Sequence, residues 1–148
     1  MRGASGVVLA SRAVAAVGLV SVGVLHGIWA GGSSWPAKSR AELADATVGS
    51  TSVEPAPIAT AVVAVMATAA GIVAGGALGD RPIAVLARRA TGSALLTRGA
   101  AGGVVACRVL GLPDPSERFR RFDARFYRPL CLVLGVAALV GARRSPSD

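Results

Sequence analysis

Four apolar stretches, separated by polar ones, organise the chain. They lie at 13–30, 58–78, 91–112 and 127–142, with loops at 31–57, 79–90 and 113–126. A helix that crosses a bilayer needs about 20 mostly apolar residues. The stretch at 58–78 contains no charged residue and fits best. The pattern predicts an all-α integral membrane four-helix bundle that forms one transmembrane domain over residues 1–148.

The first apolar stretch has an alternative interpretation as a cleaved signal peptide. Basic residues precede it, as they do in such peptides. No clean A-x-A cleavage motif follows, however, and His26 and Trp29 lie where cleavage would occur. We therefore interpret 13–30 as a retained membrane span.

The third stretch is the least apolar, because it contains Arg98 and Arg108. An arginine at mid-membrane costs about 2.5–3.5 kcal/mol on insertion. Arg108 lies near the end and can extend toward water. Arg98 lies deeper, and none of the four stretches contains an acid. Its expected partner is a carbonyl, a bound anion or a loop acid such as Asp123.

Small residues recur at four-residue spacing in three of the stretches. This spacing lets helix backbones approach closely in lipid, so it favours a compact bundle. The residues concerned are Gly23 and Gly27, then Gly71, Gly75 and Gly79, then Gly99 and Gly103.

Composition agrees with a membrane protein. Hydrophobic residues make up 53% of the chain and charged ones 16%, and the mean hydropathy is +0.58. A soluble domain carries about 25% charged residues, and a disordered chain is much less apolar. The net charge of +8 does not indicate nucleic-acid binding, because the arginines alternate with apolar runs and form no continuous stripe.

The basic residues are divided equally between the two sides of the membrane, so their number alone does not indicate the orientation. Four spans place Arg2, Arg12, Arg81, Arg88, Arg89, Arg143 and Arg144 on one side, and Lys38, Arg40, Arg118, Arg120, Arg121, Arg125 and Arg128 on the other. Arginines before the first span and acids in the first loop break the tie. We expect a multi-pass plasma-membrane protein with both termini cytoplasmic.

All six aromatic residues lie in the first and third loops or at their borders. They are Trp29, Trp35, Phe119, Phe122, Phe126 and Tyr127. Two crossings, by the second and third spans, separate the two groups, so both are expected at the same membrane face. A general anchoring belt would place aromatic rings at both interfaces.

The third loop has the pattern of a short interfacial helix. Asp114-Pro115-Ser116-Glu117 offers an N-cap, a proline at the first helical position and an acid at the third. Three phenylalanines then recur at helical spacing, and Arg118, Arg121 and Arg125 form a second row. Ser39 and Glu42 form a second capping box, which predicts a helix in the first loop.

Few residues carry recognisable chemistry. His26 is the only histidine, so we expect no metal site. Cys107 and Cys131 are expected at similar depth, where a bridge is geometrically feasible, but two buried thiols are favoured. Hydrolase, protease and nucleotide-binding motifs are absent. The nearest candidate for a catalytic set is His26, Arg121, Asp123 and Tyr127.

These features together resemble one family. The motifs that carry the resemblance are His26, Trp29, Gly31, Gly32, Trp35 and Pro36, then Arg98, Gly99, Gly102 and Gly103, then Asp123, Tyr127, Pro129, Leu130 and Cys131. The chain resembles the domain-of-unknown-function 3995 family over nearly its whole length. The resemblance implies a small four-span bacterial membrane protein and no defined activity.

The leading functional hypothesis is a non-enzymatic membrane protein with no cofactor. It would bind a lipid headgroup or a small anionic or isoprenoid ligand at the aromatic, arginine-rich face. The candidate binding residues are His26, Trp29, Trp35, Arg98, Arg121, Asp123 and Tyr127. One alternative is a membrane enzyme or redox partner using His26 and the Asp123–Tyr127 segment. Another is a subunit that packs on itself or on a membrane-protein partner.

Overall fold

The computed structural model describes residues 2–143, and the side chains from residue 5, as helices joined by short connections. The helices are α1 (Arg2–Ala30), α2 (Arg40–Val48), α3 (Pro57–Gly75), α4 (Pro82–Val109), α5 (Glu117–Phe122) and α6 (Arg128–Gly141). A π-helical turn, Asp123–Tyr127, joins α5 to α6, so Glu117–Gly141 is one continuous helix, called here the last helix. The side chain of Arg2 and the whole of Arg144 lie outside the described residues.

Three of the four long helices are apolar enough to cross a membrane. They are Ser5–Ala30, Pro57–Gly75 and Glu117–Gly141. The sequence predicts a fourth span in α4, and α4 is long enough at 28 residues. It is too polar to qualify by composition, because Arg88, Arg89 and Arg98 interrupt its apolar runs. The all-helical prediction is confirmed, and three spans of the bundle are supported directly.

Helix α4 begins inside the segment predicted as a loop. Pro82 occupies the first turn, where its fixed φ and missing N–H suit a helix start. As a consequence, Arg88 lies on a helix rather than in the loop 79–90. Helix α1 likewise begins well before residue 13, at Arg2.

Glycines allow the close packing of two helix pairs, α1 with α3 and α4 with α6. A Cβ on Gly71 would lie 3.0 Å from Val20 N on α1. A Cβ on Gly92 would lie 2.9 Å from Gly135 O, and a Cβ on Gly135 would lie 3.0 Å from Gly92 O. Sequence spacing therefore correctly indicated Gly23, Gly71, Gly75, Gly99 and Gly103. It missed Gly92 and Gly135, and Gly79 borders open space.

Two arginines and one aspartate join the helices at one end, called here the basal end. This end comprises the α3–α4 connection, the start of α4 and the end of α6. The fully buried Arg88 donates to Val73 O (2.9 Å), Gly79 O (2.8 Å) and the Asp80 carboxylate (3.0 Å). Arg12 pairs with the same carboxylate and donates to Gly141 O at 2.8 Å.

Helix α2 closes the opposite, apical end. Tyr127 donates its hydroxyl to Ala46 O at 2.9 Å, and Ser116 N donates to Gly49 O at 2.8 Å. The first and third connections therefore lie at the same end, as expected from the sequence. The helix predicted in the first loop is also present, and Ser39 Oγ caps it by accepting from Glu42 N at 3.2 Å. The Glu42 carboxylate accepts from Lys38 N at 3.0 Å instead of from the N–H of Ser39, so the capping box is only half formed.

The charge state of Asp80 is coupled to folding. Partial burial raises the pKa of this carboxyl, but hydrogen bonds from Arg88 and Arg12 outweigh burial, so the pKa lies below its ordinary value of 3.8. A carboxyl with a lowered folded-state pKa contributes its full stability above the unfolded pKa. That contribution is lost as the pH falls through the folded value.

We expect Asp80→Asn to lower the free energy of unfolding by about 3 kcal/mol at neutral pH. The reason is that the buried Arg88 guanidinium loses its counter-charge. Titration with sodium dodecyl sulfate in mixed micelles, followed by circular dichroism, measures the difference. The difference in unfolding free energy between the parent and the variant should shrink as the pH falls below 3.8, because the carboxyl of the parent protein is then neutralised as well.

Asp114→Asn is the matched control for this experiment. The Asp114 side chain is 74% exposed and lies 3.8 Å from an equally exposed Arg108, so its loss should cost less than about 1 kcal/mol. Equal costs for the two variants, or a pH-independent cost for Asp80→Asn, would contradict the stabilising role of Arg12, Asp80 and Arg88, called here the basal cluster.

Candidate functional site

Helix α4 is broken near its apical end. Gly102 has φ 81° and ψ 169°, which is outside the helical region and suits only glycine. In an uninterrupted α-helix, Gly103 N would donate to Gly99 O. The break separates these two groups, and both lie in buried glycines. Buried backbone polar groups must find other partners, because leaving them unpaired is costly.

Two side chains of the last helix satisfy the separated groups. Asp123 Oδ2 accepts from Gly103 N at 2.6 Å. Arg128 Nε donates to Gly99 O at 2.9 Å, and its Nη2 donates to Ala100 O at 3.1 Å. The carboxylate therefore pairs with the free N–H on one side of the break. The guanidinium pairs with the free carbonyls on the other side.

The π-helical turn brings these two side chains to the break together. Arg128 N donates to Asp123 O, five residues earlier, instead of to the residue four before it. In such a turn, residues five apart lie one above the other, and π-helical turns of this kind are frequent at functional sites. Asp123 and Arg128 are five residues apart, so the turn aligns both with α4.

The second oxygen of Asp123 neutralises Arg98. Arg98 Nη2 lies 2.7 Å from Asp123 Oδ1, and the carboxylate side chain is only 7% exposed. Of the partners that the sequence left open for Arg98, the loop acid Asp123 is confirmed. Arg98 Nη1 is buried and has no hydrogen-bond partner among the described residues.

A second group of candidates surrounds the apical end of α1. Trp29 Nε1 donates to Trp35 O at 2.6 Å, and Trp29 O accepts from Arg40 at 2.9 Å. His26 Nδ1 lies 2.8 Å from Val22 O and donates to it, since a carbonyl can only accept. The His26 ring is centred 4.8 Å from Trp29. These contacts hold the α1–α2 connection in place.

The third group faces outward on the last helix. Arg118, Arg121, Phe122, Arg125 and Phe126 line a shallow groove of about 460 Å³, called here the arginine–phenylalanine groove. The Arg118 guanidinium lies 5.5 Å from the centre of the Phe122 ring, and that of Arg125 lies 5.8 Å from the Phe126 ring. None of the three arginines forms an ion pair in the described part of the chain.

Three features of this segment differ from the sequence prediction. The segment is not a separate helix lying flat at the interface, because α5 continues through the π-helical turn into α6. Its N-cap is Ser116, not Asp114. The phenylalanines also do not share one face: Phe119 is 2% exposed, and a Cβ on Gly103 would overlap its ring. Phe126, in contrast, is 54% exposed.

The candidate residues thus fall into three groups rather than one site. His26, Trp29 and Trp35 lie at the end of α1, while Arg98, Asp123 and Tyr127 lie between the last helix, α4 and α2. Arg121 lies on the outer surface. No hydrogen bond or ring contact joins His26 to Asp123 or Tyr127 among the described residues. The candidate catalytic set is therefore not assembled by such contacts.

Arg128 and the basal cluster were missed by sequence reasoning. The charge pattern treats Arg128 only as a loop charge, although its five-residue separation from Asp123 is visible in the sequence. Asp80 is the only acid between Glu54 and Asp114, and Pro82 marks a helix start. Those two signals together could have indicated a buried pair between Asp80 and Arg88.

Both cysteines are free thiols. Cys107 is buried and donates weakly to Val48 O at 3.7 Å, which adds a contact between α4 and α2. Cys131 is half-buried. Of the two alternatives that the sequence allowed, the structure therefore has unbridged thiols.

We expect Arg98→Gln and Asp123→Asn to be strongly non-additive. Each single change leaves its partner charge inside the bundle, whereas the double change removes both charges. A double-mutant cycle of unfolding free energies in mixed micelles should give a coupling of about 1–3 kcal/mol. The cycle for the exposed pair Arg108 and Asp114 is the control, with about 0.5 kcal/mol or less. Additive costs at Arg98 and Asp123 would show that the buried contact contributes little.

Comparison with known proteins gives one match. The family model described as "Protein of unknown function (DUF3995)" matches residues 19–138. No curated protein and no solved structure matches the chain significantly. The matched range runs from within α1 to within α6 and so contains the α4 break, the π-helical turn and both tryptophans. The resemblance noted from the motifs is confirmed, and the chain belongs to the DUF3995 family of proteins of unknown function.

Proposed function

We propose that the chain is a four-span protein of the plasma membrane, with both termini cytoplasmic, that binds anionic lipid headgroups. The observation that carries this proposal is the arginine–phenylalanine groove. Three arginines that form no ion pair with any residue the structure describes, together with two rings, share the apical turns of a helix long and apolar enough to span a membrane. The groove presents positive charge where headgroup phosphates would lie.

Arginine is well suited to this role. Its planar guanidinium can bind phosphate through two parallel hydrogen bonds and is less strongly hydrated than an ammonium group. Aromatic rings favour the headgroup depth of the bilayer, and here they hold two of the guanidinium groups by cation–π contacts. The side chains of the groove are therefore partly ordered before a lipid arrives.

Three observations support α4 as the fourth span. Its part before the break, residues 82–101, reaches about 30 Å at 1.5 Å per residue, which equals the hydrocarbon thickness of about 30 Å. Its central charge, Arg98, is paired with Asp123, and intramembrane charges are tolerated when they are paired inside a bundle. The connections before α3 and after α4 also contact each other through Gly49 and Ser116.

Cysteine labelling tests the four-span topology. In a chain lacking Cys107 and Cys131, single cysteines at Ser52 and Asp114 should react with an impermeant thiol reagent from the same side. A cysteine at Leu78, which is exposed near the α3–α4 connection, should react only from the opposite side. Labelling of positions 52 and 114 from opposite sides would remove α4 as a span.

Lipid binding tests the groove. Changing Arg118, Arg121 and Arg125 to Gln should weaken binding of anionic lipid by about 100-fold, since each basic residue near an anionic surface contributes about 1 kcal/mol. Native mass spectrometry, with phosphatidylglycerol titrated against phosphatidylcholine, measures the effect. Raising the salt concentration should weaken binding by the parent protein and change the triple variant little.

The control variant changes Arg81, Arg89 and Arg108 to Gln. These three arginines are exposed, and replacing three of them changes the net charge by the same amount as in the groove variant. We expect this variant to keep most of the affinity. Equal losses in the two triple variants would mean that overall charge, not the groove, attracts the lipid, and the proposal would then be wrong.

A further inference from the structure

A second, apolar groove runs between α1 and α6. It has a volume of about 550 Å³, and Ser11 is the only polar residue among those that line it. One wall is formed by Val7, Ala10 and Val14 of α1, and the other includes Val133 and Val136 of α6. The lining side chains Val133 and Val136 are 57% and 52% exposed. The groove is therefore open along one side of the bundle.

The arginine–phenylalanine groove and the apolar groove follow one another along the last helix. Arg121, Arg125, Pro129, Val133 and Val136 are spaced three or four residues apart, and all are exposed. Such spacing places the last three on a single face of α6, and the two arginines precede that face across the π-helical turn. Arg125 and Val136 are eleven residues apart, which is about 16 Å along the axis. Positive charge at one end thus continues into an apolar channel in the direction of the basal end.

We infer that one anionic phospholipid occupies both grooves, with its phosphate at Arg121 and Arg125 and one acyl chain between α1 and α6. The inference rests on the proposed function and specifies its ligand as a lipid held by headgroup and chain together. The order of positive and apolar surface along the last helix complements a phospholipid, which is anionic at the headgroup and apolar below it. Both grooves lie on a helix that could cross the bilayer, so the bound acyl chain would run parallel to the bilayer lipids.

The acyl chain of the lipid contributes to the affinity by packing and not by escape from water. Every acyl chain in a bilayer is already in an apolar environment, so helix and lipid gain mainly van der Waals contacts. A concave groove offers more such contacts than a convex helix surface. The bound headgroup also keeps the chain at the groove, which raises its effective local concentration. We therefore expect the contacts between the groove and the acyl chain to raise the affinity about tenfold.

The test compares two probes that share a headgroup and differ in chain length. Dioleoyl and dihexanoyl phosphatidylglycerol are titrated onto the intact protein in detergent and quantified by native mass spectrometry. Ala10→Phe fills the groove from α1 and should lower the long-chain to short-chain affinity ratio about tenfold relative to the parent. Binding of the short-chain lipid should stay unchanged. Val133→Phe, on the opposite wall, should act in the same way.

Ala69→Phe is the matched control, since Ala69 is exposed on α3, away from the groove. It should keep the parent ratio. If neither Ala10→Phe nor Val133→Phe changes the ratio, the acyl-chain site is wrong. The headgroup site remains if binding still depends on Arg118, Arg121 and Arg125. Loss of that arginine dependence for both probes would instead overturn the proposed function. A dimer that Ala10→Phe dissociates would show that a second copy fills the groove.

Discussion

The Asp123 carboxylate accepts a hydrogen bond from a guanidinium with one oxygen and from a free backbone N–H with the other. In the described part of the chain, it is the only buried acid. A bilayer offers no water to satisfy polar groups, so a broken helix at membrane depth must be completed by protein. The break at Gly102, the charge of Arg98 and the π-helical turn all depend on this single carboxylate. Without it, α4 would contain an unpaired charge and an unpaired N–H.

Arginines serve a common structural purpose at both ends of the bundle. Arg88 donates to Val73 O and Gly79 O near the end of α3, and Arg12 donates to Gly141 O at the end of α6. Arg128 does the same at the break in α4. The last carbonyls of a helix lack intrahelical partners, and a guanidinium offers five donors in a fixed plane. The fifteen arginines and one lysine of the chain therefore include several that complete helix ends, besides those that face solvent or lipid.

The sequence allowed some parts of this arrangement to be predicted because they depend on local or pairwise rules. The lack of acids in the apolar stretches led to Asp123 as a partner for Arg98. The spacing of small residues led to Gly71 and Gly99 as contact points. The π-helical turn could not be predicted in this way, since no residue type marks one. It changes the direction of every side chain before it, which is why Phe119 points into the bundle and not toward lipid.

The distance along the chain between Arg98 and Asp123 has a consequence for biosynthesis. A ribosome adds about 5–20 residues per second, so the 25 residues between them take roughly one to five seconds. During that time, a spanning α4 contains a positive charge without its partner, and insertion of such a helix alone is unfavourable. On the proposed four-span topology, we therefore expect α4 to stay at the translocon until the last helix arrives. The two would then enter the bilayer as a hairpin whose charges are already paired.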